Sequence, residues 1–317
     1  MFATALTSRL QVRYPLLSAP MGAVAGGRLA AAVTRAGGLG FIGVGYLDSA
    51  WIESQFDAAE GERVGIGFIT WDLARSPERL NVALARKPAA VMLSFGDAAP
   101  FVGAIRKAGA AVVLQVQSVA AAKSSAALKP DFVVAQGTEA GGHGAARALF
   151  PLLPAVADAV APIPVVAAGG VSDGRGLVAA LALGGCGALV GTRFFATEEA
   201  IGSEALKRRL VESSGDDTLR TAIFDIVRKL PWPAEFTGRV VANDFTAKWH
   251  GKEQALGAAL AEEAARYAEA AVAGDLRTAV CWGGEGLDLV RDVPAAGAVV
   301  ARIMQEAEEA RRRLVTD

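Results

Sequence analysis

Two stretches decide how this chain of 317 residues is read: Val165-Val166-Ala167-Ala168-Gly169-Gly170-Val171-Ser172-Asp173-Gly174 and Gly187-Ala188-Leu189-Val190-Gly191-Thr192-Arg193. Each opens as a short apolar run and ends in glycine. Unbroken apolar runs of this length mark parallel strands covered on both faces. Residues 177–183 between them are good helix formers, and Asp173 stands where a helix N-cap is wanted. Strand, glycine turn, helix and strand in that order make a parallel crossover unit.

Working outward, the same apolar run recurs at 16–19, 39–44, 64–69, 90–95, 111–116 and 131–135, which with 165–168 and 187–190 makes eight. Segments such as 28–36 and 77–85 carry helical spacing between them. Eight units of this length predict an α/β chain closed as a (β/α)8 TIM barrel, in preference to an open doubly wound sheet. The pattern changes after the eighth run. Residues 203–212 read as a helix, and 230–250 are rich in Pro, Trp and polar groups without periodicity. Residues 252–273 read as one long Ala- and Glu-rich helix, and 295–314 as another with Pro294 at its first turn. The expected division is a barrel over 1–200 and a helical appendage over 201–317, packed on the barrel.

Composition removes several function classes. Lys and Arg nearly balance Asp and Glu, for a formal charge of −1, so nothing favours nucleic acid, whose affinity rests on many basic contacts to phosphate. The same balance argues against a polybasic membrane anchor. The apolar runs fall short of the roughly 20 residues a spanning helix needs. No secretory signal pattern opens the chain, and a cytoplasmic protein is expected. The two cysteines, Cys186 and Cys281, exclude a disulfide framework or a four-thiolate zinc site. No His, Asp and Glu cluster has metal-ligand spacing, so no metal is expected.

The glycines carry chemistry. In barrels of this kind the loops after the seventh and eighth strands commonly hold a phosphate. Gly169, Gly170 and Gly191 let backbone N–H groups approach an anion, beside Thr192. Gly38, Gly40 and Gly43 also match a dinucleotide fingerprint, but they run from a helix into a strand, the reverse of what that fingerprint requires. The sixth strand ends in Gln136-Gly137-Thr138-Glu139-Ala140-Gly141-Gly142-His143-Gly144. A histidine on such a loop can serve as a general base near neutral pH. His143 is the catalytic candidate, and the second histidine, His250, reads as a surface residue.

With these residues in place, the chain resembles the nitronate monooxygenase family. The resemblance is carried by Ala19-Pro20-Met21-Gly22, by residues 136–144 and 167–176, by Gly191-Thr192-Arg193-Phe194 and by the tail Trp282-Gly283-Gly284-Glu285-Gly286. It implies FMN, with phosphate on Gly169, Gly170, Gly191 and Thr192, and the flavin ring near Ala19, Pro20, Met21 and Gly22. Gln115, Gln136 and Gly142 would border the ring on another side. It implies further that His143 takes the α-proton of a nitroalkane or meets the nitronate, which O2 and the flavin convert to a carbonyl compound and nitrite. The partners are then a small-molecule substrate and O2, and a homodimer is left open.

FMN-dependent enoyl-acyl-carrier-protein reductases share this framework, so an NAD(P)H-dependent enoyl-thioester reductase is the alternative. Gln136 favours the monooxygenase, because the reductases more often carry Glu there. Gln115 and Gln117 offer amides near the ring edge, and the run of residues 65–71 departs from the Asn-containing turn of many relatives. Trp71, Asp72, Ser94 and Phe95 stand at the same rim, and Cys186 belongs to the opposite end. Glu285 is not expected to reach the site.

Overall fold

The apolar runs become strands. The structure is a computed structural model that describes residues 2–314. It contains β1 (Leu16–Ser18), β2 (Phe41–Gly43), β3 (Gly65–Ile69), β4 (Ala90–Ser94), β5 (Ala111–Val116), β6 (Phe132–Gln136), β7 (Gly142–Gly144), β8 (Val165–Ala168), β9 (Ala188–Val190), β10 (Thr218–Thr221) and β11 (Thr237–Val241). Eight of them form one parallel sheet in the order β1-β9-β8-β6-β5-β4-β3-β2. A parallel bridge between Leu17 and Leu39 joins its two edges. There the Ser18 N–H donates to Leu39 O at 3.1 Å and the Leu39 N–H to Leu16 O at 3.0 Å. The barrel is closed.

Alternation along each strand explains why the runs are apolar without a break. In β4, Met92 points inward and packs in one cluster with Phe41, Val113, Phe132, Val134, Val166 and Leu189. Its neighbours Val91 and Leu93 face the helices, in a cluster with Ile66, Phe68 and Ile105. Both faces are dry, so both phases of the two-residue period are hydrophobic. The helix Ala5–Leu10 starts at a capping box between Thr4 and Thr7. It places Leu6 and Leu10, almost fully buried, in the interior cluster. Burying each is worth about 1.5–3 kcal/mol. Cys186 joins them there, and burial pushes its thiol up to about 12.

Over residues 201–314 the chain departs from an all-helical appendage. The segment without visible periodicity contains β11, which pairs antiparallel with β10 on one side and with β7 on the other. The register sets Gly238 opposite His143 and Arg239 opposite Gly142. The C-terminal part thereby supplies two strands to a sheet whose third strand is the histidine loop itself. The expected long helix is two helices, Glu253–Ala258 and Leu260–Ala273, parted at Ala259. Helix Ala296–Leu314 packs on helix Gly174–Ala182, where Glu306 accepts a hydrogen bond from the Gly174 N–H at 3.0 Å.

Candidate active site

At the C-terminal ends of the barrel strands lies a cavity of about 400 Å³, within the usual range for small-molecule sites. Ala19, Pro20, Met21 and Gly22 wall it after β1, with Gln115 and Gln136 at the ends of β5 and β6. Gly142 and His143 come from β7, Gly169 and Gly170 follow β8, and Gly191 and Thr192 follow β9. The structure thus brings the catalytic candidate and all the residues expected around FMN to one cavity. Gly284 and Gly286 of the tail also line it, and the Gly284 N–H donates to Thr192 Oγ1 at 3.1 Å.

The end of the cavity beside β8 and β9 has the donors an anion needs. Gly169 and Gly170 hold φ of +106° and +70°, which side-chain-bearing residues rarely adopt. No backbone carbonyl among the described residues accepts from the N–H groups of Gly169, Gly170, Gly191 or Thr192. A Cβ on Gly191 would find Ala19 Cβ at 3.6 Å and Met21 Sδ at 3.7 Å, so room remains in front of it. Thr192 Oγ1 accepts from Gly284 and keeps its own hydrogen to donate. Unsatisfied amides and a hydroxyl around one hollow fit the phosphate of FMN. Asp173 is spent elsewhere, capping its helix through Gly176 N–H at 3.0 Å.

The loop between β6 and β7 is pinned from several directions. Gln136 Oε1 accepts from Gln117 at 2.8 Å and Gln115 at 3.1 Å, which leaves its Nε2 to donate to the backbone oxygen of His143 at 2.9 Å. Arg220 on β10 and Arg239 on β11 both donate to Thr138 O, at 3.1 Å and 2.9 Å. Glu285 reaches the edge of this arrangement, pairing with Arg239 at 2.6 Å. Burial, with Arg239 close by, pulls the Arg220 guanidinium down to about 10. Glu139 lines the cavity, yet its carboxylate accepts from the Leu149 N–H, at the start of helix Leu149–Val160.

His143 is held by ring contacts and by one hydrogen bond. Its ring stacks on Trp232 with centroids 3.5 Å apart and planes 3° from parallel. Trp282 lies at 5.2 Å and Phe95 meets it edge-on at 6.5 Å. Nε2 is 2.9 Å from Asp225 Oδ2. Burial is the main influence on the ring and lowers its pKa from 6.5, Asp225 opposing and Arg228 and Arg220 reinforcing the drop. Trp232 is itself held by Tyr46, whose hydroxyl accepts from the indole at 2.6 Å and is pushed by burial up to about 12.

Asp225, Trp232 and Tyr46 escaped the sequence reading. A single acid inside Ile223-Phe224-Asp225-Ile226-Val227, and a tryptophan between Pro231 and Pro233, are the signals that could have found the first two. The rim candidates divide. Ser94 and Phe95 line the cavity, whereas Asp72 is spent on Arg79 at 2.8 Å and Trp71 stands behind Trp232. His250 is exposed at the end of helix Asp244–Trp249.

The model of the family described as nitronate monooxygenase matches residues 3–62 and 59–306. The chain belongs to this family. A nitronate monooxygenase of Neurospora crassa is 32% identical over 93% of this chain and 89% of its own length. A Mycobacterium tuberculosis protein named (3aS,4S,5R,7aS)-5-hydroxy-7a-methyl-1-oxo-octahydro-1H-indene-4-carboxyl-CoA dehydrogenase is 34% identical, over 70% of this chain and 64% of its own length. Among solved structures, FabK from Thermotoga maritima superposes with a TM-score of 0.88 at 28% identity, covering 99% of both chains. A nitroalkane oxidase from Streptomyces ansochromogenes gives 0.84 at 28%, covering 98% of this chain and all of that one. As a member of the nitronate monooxygenase family the chain is a flavin-dependent oxidoreductase. Among the described residues, no helix is long and apolar enough to cross a membrane.

Proposed function

We propose that this chain holds FMN in the barrel cavity and oxidises alkyl nitronates with O2 to a carbonyl compound and nitrite. The observation that carries the reading is one shared cavity: unsatisfied amides of Gly169, Gly170 and Gly191 at one end, and the His143 imidazole on its wall. Thr192 would add its hydroxyl to the phosphate. Ala19, Pro20, Met21 and Gly22 would flank the ring, with Gln115, Gln136 and Gly142 on another side. FMN, when bound, supplies the electron-transfer chemistry that amides and imidazoles lack. The protein's part is placement. Tyr46, Phe95, Trp232 and Trp282 wall the site with aromatic surface, which keeps water from the reacting centre. His143, held neutral at pH 7 by burial, can take up a proton there.

Several readouts test this. The purified protein should carry a flavin spectrum and release nitrite from an alkyl nitronate in air without added nicotinamide. His143→Ala should keep its flavin and lose turnover by about 100-fold or more, the scale of a missing general base. Turnover within about tenfold of the original would mean that the imidazole does none of this work. The likeness to FabK supports a second reading, an NAD(P)H-dependent enoyl-thioester reductase. Rapid anaerobic bleaching of the flavin by NADH, with no nitrite from any nitronate, would replace the first reading by the second.

A further inference from the structure

Asp225 is a carboxylate without an evident structural duty. It lies on the short helix Ile223–Val227, among apolar residues, and its side chain is 5% exposed. Its only ion-pair partner among the described residues is His143, at 2.9 Å. Its other oxygen, Oδ1, is buried with no hydrogen-bond partner. Native proteins rarely leave a buried acceptor unmet, and a carboxylate kept for stability alone would have both oxygens satisfied. The one bond it does make points at the imidazole in the cavity.

We infer that Asp225 and His143 form a carboxylate–imidazole dyad in which Asp225 is a positioning residue. It fixes the hydrogen of His143 on Nε2 and leaves the Nδ1 lone pair as the base that removes the α-proton of a neutral nitroalkane. This rests on the nitronate reading above and extends it to the step that forms the nitronate. A carboxylate only accepts, so the 2.9 Å contact requires the hydrogen on Nε2. Nδ1 makes no hydrogen bond among the described residues, and it is absent from the buried atoms left unpartnered, which are Thr70 Oγ1, Trp71 Nε1 and Asp225 Oδ1. It is therefore the nitrogen open to the cavity that His143 lines. The parallel Trp232 ring and the Trp282 and Phe95 rings hold the imidazole plane, and the ladder pairing with Gly238 fixes the His143 backbone.

The charged groups facing the ring are Asp225 on its helix, Arg228 at the end of that helix and Arg220 on β10. The two arginines disfavour an imidazolium, and the carboxylate alone favours it. In the step, the C–H bond beside the nitro group breaks and its electron pair becomes the C=N bond of the nitronate. The proton goes to Nδ1, and the resulting imidazolium stays paired with Asp225 through Nε2. No oxidant is consumed. The arrangement follows the logic of a catalytic triad, where an aspartate holds a histidine in its working tautomer.

Asp225→Asn in the flavin-loaded protein tests the dyad. Turnover of neutral nitroethane should fall by about 100-fold to 10⁴-fold, at least tenfold more than turnover of pre-formed ethyl nitronate. The rising limb of the nitroethane pH profile should move to lower pH, because the group that favours the imidazolium is gone. Asp225→Glu should recover part of the rate. With two histidines in the chain, ¹⁵N NMR of histidine-labelled wild-type protein gives an independent readout, since His143 should carry its hydrogen on Nε2 at neutral pH. Equal losses for both substrates with an unmoved pH limb, or hydrogen on Nδ1 in the wild type, would overturn the inference. If Asp225→Asn does not fold, the wild-type NMR result decides. Failure to release nitrite from any nitronate would instead remove the functional reading, while the tautomer is still judged by NMR.

Discussion

Burial lowers the pKa of His143 below 6.5 in the folded chain, with Asp225 only partly offsetting it, while the unfolded chain should titrate near the ordinary value of about 6.5. Between those two values the unfolded state binds the extra proton and the folded state does not. Stability must then fall as pH drops through that window, and it is flat above it for this group. Wild-type Tm should decline on acidification below about 6.5, and His143→Gln should show a shallower decline. Calorimetry of both proteins checks this, and parallel slopes would show that the ring is not buried as described. His143 was legible in the sequence because imidazole among glycines on a barrel loop is chemically conspicuous. Its carboxylate partner was not, since 82 residues separate the two and only folding makes them neighbours.

At the scale of elements, legibility followed hydrophobic patterning. The eight barrel strands were visible because both of their faces are dry. β7 is Gly-His-Gly, with no strand propensity of its own, and β10 and β11 carry Arg220 and Arg239 where a core strand would carry Val or Ile. Their sheet is specified by contacts distant in sequence, through Arg220, Arg239 and the bridge of Val240 to Trp282. The break at Ala259 lies two residues after Gly257, a poor helix former that the surrounding Ala- and Glu-rich pattern masked. The small sheet makes its own prediction at Gly238, which faces His143 across the ladder. A Cβ there would sit 2.3 Å from Trp282 Cζ3, so the indole must move. Gly238→Ala should destabilise by about 1–3 kcal/mol, the usual cost of overpacking, and should loosen the aromatic contact on His143. A thermal melt reads the first effect, and an unchanged Tm would show that Trp282 has room to yield.

Over the whole molecule, the barrel and the C-terminal segment share one cavity. Arg228, Trp232, Trp282 and Gly284 reach it from one side, the strand-end loops from the other. A ligand that fills it binds only the folded chain and should stabilise both parts together, by about 2.7 kcal/mol at a hundredfold excess over Kd. Flavin-free protein titrated with FMN should therefore melt later in a single transition. Riboflavin separates the contributions, because it keeps the ring and lacks the phosphate. The amides of Gly169, Gly170 and Gly191 would then face no anion, and a buried donor without a partner is costly. Riboflavin should shift Tm far less than FMN at equal concentration, with inorganic phosphate recovering little of the difference, since a free ion pays its own association entropy. Equal shifts from the two flavins would mean that the ring pocket alone binds, and that the glycine loops after β8 and β9 serve only as turns.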